Sequence, residues 1–181
     1  MKKRNNFGEI EFKNYPQFRP NLTPKEIFDL GSFGGTYWRP IFSSITKKKY
    51  KNKHLEYSEF SDIPENKLSM KIYNKNINKY KEFSGSSLKE WEDNNWITEY
   101  HPYGWVQWYC DFYNNYRCED DLRQIKRWIK TAGPKSRFRK RLINMIKKEN
   151  TRYDDYNVSP RIRQTLQHWA YELKEIDLKD N

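Results

Sequence analysis

The stretch 101–113, HPYGWVQWYCDFY, constrains the fold more than any other part of the chain. On a helix from about Tyr103, at 100° per residue, Trp105, Val106, Trp108, Tyr109, Phe112 and Tyr113 cover more than half the circumference. Only Gln107, Asp111 and Asn114 form a polar strip. A helix this apolar needs neighbours on several sides, so the ordinary expectation is a central core helix. The alternative is that some rings line a pocket or stack on bases, because Tyr and Trp join a flat apolar face to a polar tip. His101, Gln107 and Asp111 are then the candidate pocket polar groups.

What surrounds this helix is read from the flanking segments. Residues 1–20 place Phe7, Ile10, Phe12, Tyr15 and Phe18 among Pro16 and Pro20, which reads as an extended N-terminal arm. Residues 21–181 read as a single globular domain. Thr23-Pro24-Lys25-Glu26 is a capping box with proline at the first helical position, and it opens a short helix ending at Leu30-Gly31. Ser87-Leu88-Lys89-Glu90 opens a second, ending near Asn94. Between them, the Lys-rich run after Ile45 and the polar stretch 58–84 read as loops with a short helix. Because 17% of the chain is aromatic, the core must be built largely from rings, leaving few for other work.

The C-terminal third is periodic. Over 120–131, Leu122, Ile125, Trp128 and Ile129 make an inward face, with Arg123, Lys126, Arg127 and Lys130 on an adjoining one. Ala132-Gly133-Pro134 stops that helix. Over 135–148, Phe138, Leu142, Met145 and Ile146 form the apolar stripe, and Arg137, Lys140, Arg141, Lys147 and Lys148 take the opposite arc. Ser159-Pro160 opens a last helix through about Lys174, with Ile162, Leu166, Trp169 and Leu173 inward. The expected fold is mainly α: a compact single domain with a central aromatic helix, a C-terminal set of three amphipathic helices and an irregular, loop-rich N-terminal half.

The formal net charge is +11, and its distribution matters more than its size. Residues 1–57 hold 12 basic and five acidic side chains, and residues 134–153 hold eight and one. Clustered positive charge points to an anionic partner, most often nucleic acid, since each neutralised phosphate releases counterions. The favoured function is therefore binding of DNA or RNA, mostly through the phosphate backbone. Its expected contacts are Arg123, Lys126, Arg127, Lys130, Lys135, Arg137, Lys140 and Arg141, with little base preference. A solvated, lysine-rich surface is the ordinary alternative.

A second function class comes from GSFGGTYWRP at 31–40. Three glycines within five residues allow positive φ and can expose N–H groups to an anion. It is neither a Walker loop nor a dinucleotide fingerprint. Gly34, Gly35, Tyr37, Trp38 and Arg39 are the candidate ligand loop of an enzyme or sensor for a nucleotide or other phosphorylated small molecule, with His101, Asp111 and His168 as proton handlers. No nucleophile and base recur at a recognisable spacing, so no catalytic residue is assigned and the balance leans away from an enzyme. A third class is a structural or adaptor protein, virion-associated if the setting is viral.

Cys110 and Cys118 read as reduced and structural, with a disulfide as the minor alternative. They and His54, His101 and His168 give no metal-ligand spacing, so neither metal nor cofactor is expected. No apolar run is long enough to span a bilayer, and MKKRNNFGEIEF has basic residues without an apolar segment after them. An intracellular setting is expected, cytoplasmic or nuclear, with no membrane partner. Oligomeric state leaves no trace in the sequence.

GSFGGTYWRP, HPYGWVQWYCDFY, RQIKRW with AGPKSRFRKRL, and VSPRIRQTLQHWAYEL together resemble a family of conserved proteins of eukaryotic microbes and large DNA viruses. The resemblance covers nearly the whole chain, from Phe18 to Leu173. It implies one intact domain and an intracellular setting, or a viral factory or virion. The family carries no established activity and brings no catalytic residue to this chain.

Overall fold

In the computed structural model, which describes residues 2–179, the aromatic stretch forms helix α3 (Trp105–Tyr113). It starts two residues later than its composition suggests, because Gly104 sits at φ +89° and breaks the backbone ahead of it. Trp105 through Cys110 and Phe112 are buried, as a helix apolar over most of its surface requires.

The chain is mainly helical. In order it forms α1 (Pro24–Asp29), a two-stranded antiparallel hairpin of β1 (Ile41–Ser43) and β2 (Lys48–Tyr50), α2 (Leu88–Asp93), α3, α4 (Asp121–Ala132), α5 (Arg137–Lys148), α6 (Pro160–His168) and α7 (Ile176–Lys179). Among the described residues no helix is long and apolar enough to cross a membrane. Residues 1, 180 and 181, at the ends of the expected 1–20 arm and 21–181 domain, lie outside the described residues.

Among its described residues the arm forms no helix and only an isolated bridge, Arg4 with Ile10, yet three of its side chains are core. Ile10, Phe12 and Phe18 are buried in the same cluster as α3. The Phe18 ring centre lies 5.5 Å from Trp108, 5.6 Å from Phe112 and 5.2 Å from Trp128, in tilted and edge-to-face contacts that join the arm, α3 and α4 in one aromatic cluster.

Local signals set the first two helices. In α1 the Thr23 hydroxyl accepts the Glu26 N–H at 3.1 Å and the Glu26 carboxylate accepts the Thr23 N–H at 2.7 Å, the reciprocal pair that satisfies two orphan donors. Ser87 caps α2 by accepting the Glu90 N–H at 3.2 Å.

The hairpin stands where the sequence reads as loop. Its strands are only three residues long, IFS and KKY, in register Ile41↔Tyr50, too short for an alternation to announce them. They are held from a distance: the buried Glu92 carboxylate on α2 accepts the Ser44 N–H at 2.9 Å and its hydroxyl at 2.7 Å. Residues 53–77 run through four single 3-10 turns instead of a helix.

Two helical faces differ from their periodicity. In α4, Leu122 is 57% exposed and Gln124 is fully buried, because Asp120 and Asp121 are drawn inward. Asp121 accepts the Trp108 indole N–H at 2.8 Å, and Asp120 accepts the Gln124 amide at 2.8 Å. Helix α6, expected as the last helix and to run through about Lys174, is followed by the short α7 and ends at His168. There the Tyr171 N–H turns back to the Leu166 carbonyl with Ala170 at φ +57°, a left-handed helix end. Asn21 then captures the chain beyond: its backbone N–H donates to the Ala170 carbonyl, and its amide bonds both the N–H and the carbonyl of Glu172. Leu173 reaches the core as part of that extended segment.

Candidate functional site

In α5 the Ser136 hydroxyl accepts the Arg139 N–H at 3.3 Å and fixes the helix start. Leu142, Ile143 and Ile146 point inward and are buried. With that face set, Arg137, Lys140, Arg141, Asn144, Met145 and Lys148 follow i, i+3, i+4, i+7, i+8, i+11 spacing and fall on one outward stripe. Together with Lys135 they line a shallow groove that contains no carboxylate. Arg139 alone among these arginines turns inward, to Asp177.

Helix α4 offers fewer free cations than its periodicity suggests. Arg123 is bound to Asp120 at 2.9 Å and to the Asn95 carbonyl at 3.3 Å. Arg127 donates to the Trp96 carbonyl at 2.9 Å and to Gln124 at 2.8 Å, with its guanidinium 5.9 Å from the Trp96 ring and 5.4 Å from the Trp169 ring. Burial pushes its pKa down to about 10, so it stays charged at neutral pH. The cause is tertiary: the loop after α2 lies across that face of α4. Lys126 and Lys130 remain exposed.

The glycine loop is not an open phosphate cradle. The Phe33 N–H donates to His168 Nε2 at 3.1 Å and the Gly34 N–H to the Asn78 side chain at 2.7 Å. Those of Gly35, Thr36, Trp38 and Arg39 go to backbone carbonyls. Trp38 is core, and the Tyr37 hydroxyl donates to the Tyr103 carbonyl at 2.6 Å while accepting the Gln107 N–H at 3.0 Å. Arg39 bonds the Thr36 carbonyl. The glycines serve a close approach by residues 66–78, which pair with the loop through Met70 N–H to the Gly35 carbonyl and Asn74 N–H to the Gly34 carbonyl.

Of the three polar groups on the aromatic stretch, two meet. His101 Nε2 lies 3.4 Å from Asp111 Oδ2, and the Tyr57 hydroxyl donates to Asp111 Oδ1 at 2.9 Å. Gln107 is buried elsewhere and accepts the Tyr103 N–H at 2.9 Å. The hydroxyl bonded to this dyad is a phenol whose pKa burial raises far above its usual value, which makes it a poor nucleophile. Burial also raises both thiols, Cys118 to about 11 and Cys110 further, which makes them poor nucleophiles. Both cysteines are free, and among the described residues no group of three or more His, Cys, Asp or Glu could hold a metal ion.

One ring of the aromatic stretch, Trp105, does line a pocket, with rings that the sequence did not group with it. A cleft of about 530 Å³ opens between α3, α4, α6 and the segment around α2. Trp91, Trp96, Trp105 and Trp169 line it, as do Arg127, Lys130 and Arg161, and no carboxylate does. The Trp105 and Trp169 rings meet at 4.7 Å, and Trp96 is 40% exposed at the rim. Comparison with protein-family models, curated proteins and solved structures finds no match to the chain.

A buried amide relay fixes the protonation of the cleft wall. The Tyr80 N–H donates to Gln164 Oε1 at 3.0 Å, so Gln164 Nε2 is the donor to Gln167 at 2.6 Å and to His168 Nε2 at 3.0 Å. With Phe33 also donating to Nε2, the His168 proton must sit on Nδ1. Burial pushes the His168 pKa down to about 3, so the ring is neutral. The signal in the sequence was no more than a scatter of tryptophans, because the four rings come from two helices, α2 and α3, and from the segments that follow α2 and α6.

Proposed function

We propose that the protein binds nucleic acid through its phosphate backbone, with the outward stripe of α5 as the main contact. The observation that carries this is the groove in which Lys135, Arg137, Lys140, Arg141 and Lys148 stand together without a carboxylate. Arg123, Arg139 and Arg152 are paired with carboxylates, whereas none lines this groove. Residues 137 to 148 span about 16 Å at the helical rise, enough for several successive phosphates of one strand. Lys130 and Lys126 extend the footprint onto α4, while Arg123 and Arg127 hold the protein's own loop. Long cations on a convex helix touch phosphates more readily than base edges, which favours binding with little sequence preference.

The test is anisotropy of a labelled 20-mer duplex at roughly 50 to 300 mM salt. If five cations each meet a phosphate, log K falls against log salt with a slope of about −4 to −5. The combined variant Arg137→Gln, Lys140→Gln, Arg141→Gln should weaken binding by tenfold or more and flatten the slope by about 3. Affinity that ignores salt, or that survives the triple change, overturns the proposal.

A further inference from the structure

We infer that the tryptophan cleft receives an unpaired base of a single strand whose phosphates run on to α5. This rests on the nucleic-acid reading above and deepens it by naming the ligand class. The cleft volume, about 530 Å³, falls within the range of sites that enclose small molecules, and its chemistry narrows the occupant. Walls of indole rings suit a flat aromatic ligand, since every base has a face on which such rings stack. The charged lining is cationic throughout, Arg127, Lys130 and Arg161, which suits a ligand carrying phosphate.

The rim is built to hold a ring in place. Trp96 projects at the opening, and Arg127 fixes its backbone through the carbonyl at 2.9 Å while lying close to both the Trp96 and Trp169 rings. Among the described residues the indole N–H of Trp105 is buried without a partner, and the neutral His168 ring also lines the cleft.

The decisive relation is adjacency to the basic stripe. Phe138, the second residue of α5, lines the cleft. The Arg137 guanidinium lies 5.6 Å from the Phe138 ring and belongs to the cationic groove. Base-stacking rings and phosphate-binding cations are therefore separated by one side chain. Paired bases are sealed inside a duplex and cannot enter the cleft, but an unpaired strand can use both surfaces at once.

The experiment compares a 12-nucleotide oligo(dT), a duplex of equal length and thymidine monophosphate, by anisotropy, competition and tryptophan fluorescence. Oligo(dT) should bind tighter than the duplex and quench the fluorescence. Trp96→Ala should lower oligo(dT) affinity by about tenfold and leave duplex affinity within twofold, with Trp96→Phe restoring most of the loss. Lys130→Glu, an exposed change that does not threaten folding, should also weaken oligo(dT) more than duplex. Equal binding of the two polymers, with neither variant separating them, overturns the cleft while leaving the α5 reading intact. Failure of both polymers to bind removes the underlying reading itself. Monophosphate binding as tight as oligo(dT) overturns the strand and assigns the cleft to a free nucleotide.

Discussion

Arg139 donates through Nη2 to Asp177 in the interior between α5 and α7, with its guanidinium 4.0 Å from the Tyr171 ring. The same carboxylate accepts the Tyr171 hydroxyl and the Lys174 N–H, so the pair anchors the end of the described chain to the basic helix. Arg141, two residues on, is exposed. Arg139→Ala should therefore destabilise the protein by about 3–5 kcal/mol, because it takes a buried guanidinium away from a buried carboxylate. Arg141→Ala should change stability by no more than about 0.5 kcal/mol. Urea denaturation of the two variants checks this, and equal effects would contradict the burial of Arg139.

The N-terminal segment should behave as core. Phe18→Ala removes a ring packed against Trp108, Tyr109, Phe112 and Trp128, leaving a cavity where α3 and α4 meet. The expected loss is about 3–5 kcal/mol, whereas Phe7→Ala, at a ring 57% exposed, should be nearly silent. A thermal melt distinguishes them: an arm that merely decorates the surface would show no difference.

The glycine loop makes a steric prediction. A Cβ on Gly35 (φ +76°) would stand 2.2 Å from the Asn66 carbonyl oxygen, whereas one on Gly85 (φ +100°) meets nothing within 4 Å. Alanine at 85 should cost only backbone strain, about 1–3 kcal/mol. At 35 it must also displace the 66–70 backbone, so the loss should be larger. Comparable midpoints in chemical denaturation would show that the two segments are not tightly apposed.

His168 predicts a pH dependence. Its pKa falls from 6.5 to about 3 on burial, so between those values the unfolded chain binds a proton that the folded chain does not. Stability due to this group is complete above pH 6.5 and is lost as pH falls, by at most about 1.4 kcal/mol per pH unit. Between pH 6.5 and 4.5 the parent should lose about 2 to 3 kcal/mol more than His168→Gln. Parallel losses would mean that the folded ring takes up the proton.

Much of this was legible because it is local. The capping box at Thr23 and Glu26 works over three residues, and the apolar period of α5 works along one helix, so both appear in the sequence as they appear in space. The same holds for α3, whose surface is too apolar to lie anywhere but inside. Arg137, Lys140 and Arg141 were legible as an outward face for the same reason.

What the sequence could not specify depends on partners distant in the chain. Arg123 and Arg127 have the spacing of free cations, but the loop after α2 claims them. The 31–40 glycines resemble an anion cradle until residues 66–78 fill it, and α6 stops at His168 because Asn21 captures the chain beyond. The tryptophan cleft is the clearest case, since Trp91, Trp96, Trp105 and Trp169 share no period. The sequence by itself determined which faces are apolar and where helices begin. Only the tertiary structure decided which cations and rings stay available, because each is spent or spared by neighbours that chain folding alone brings within reach.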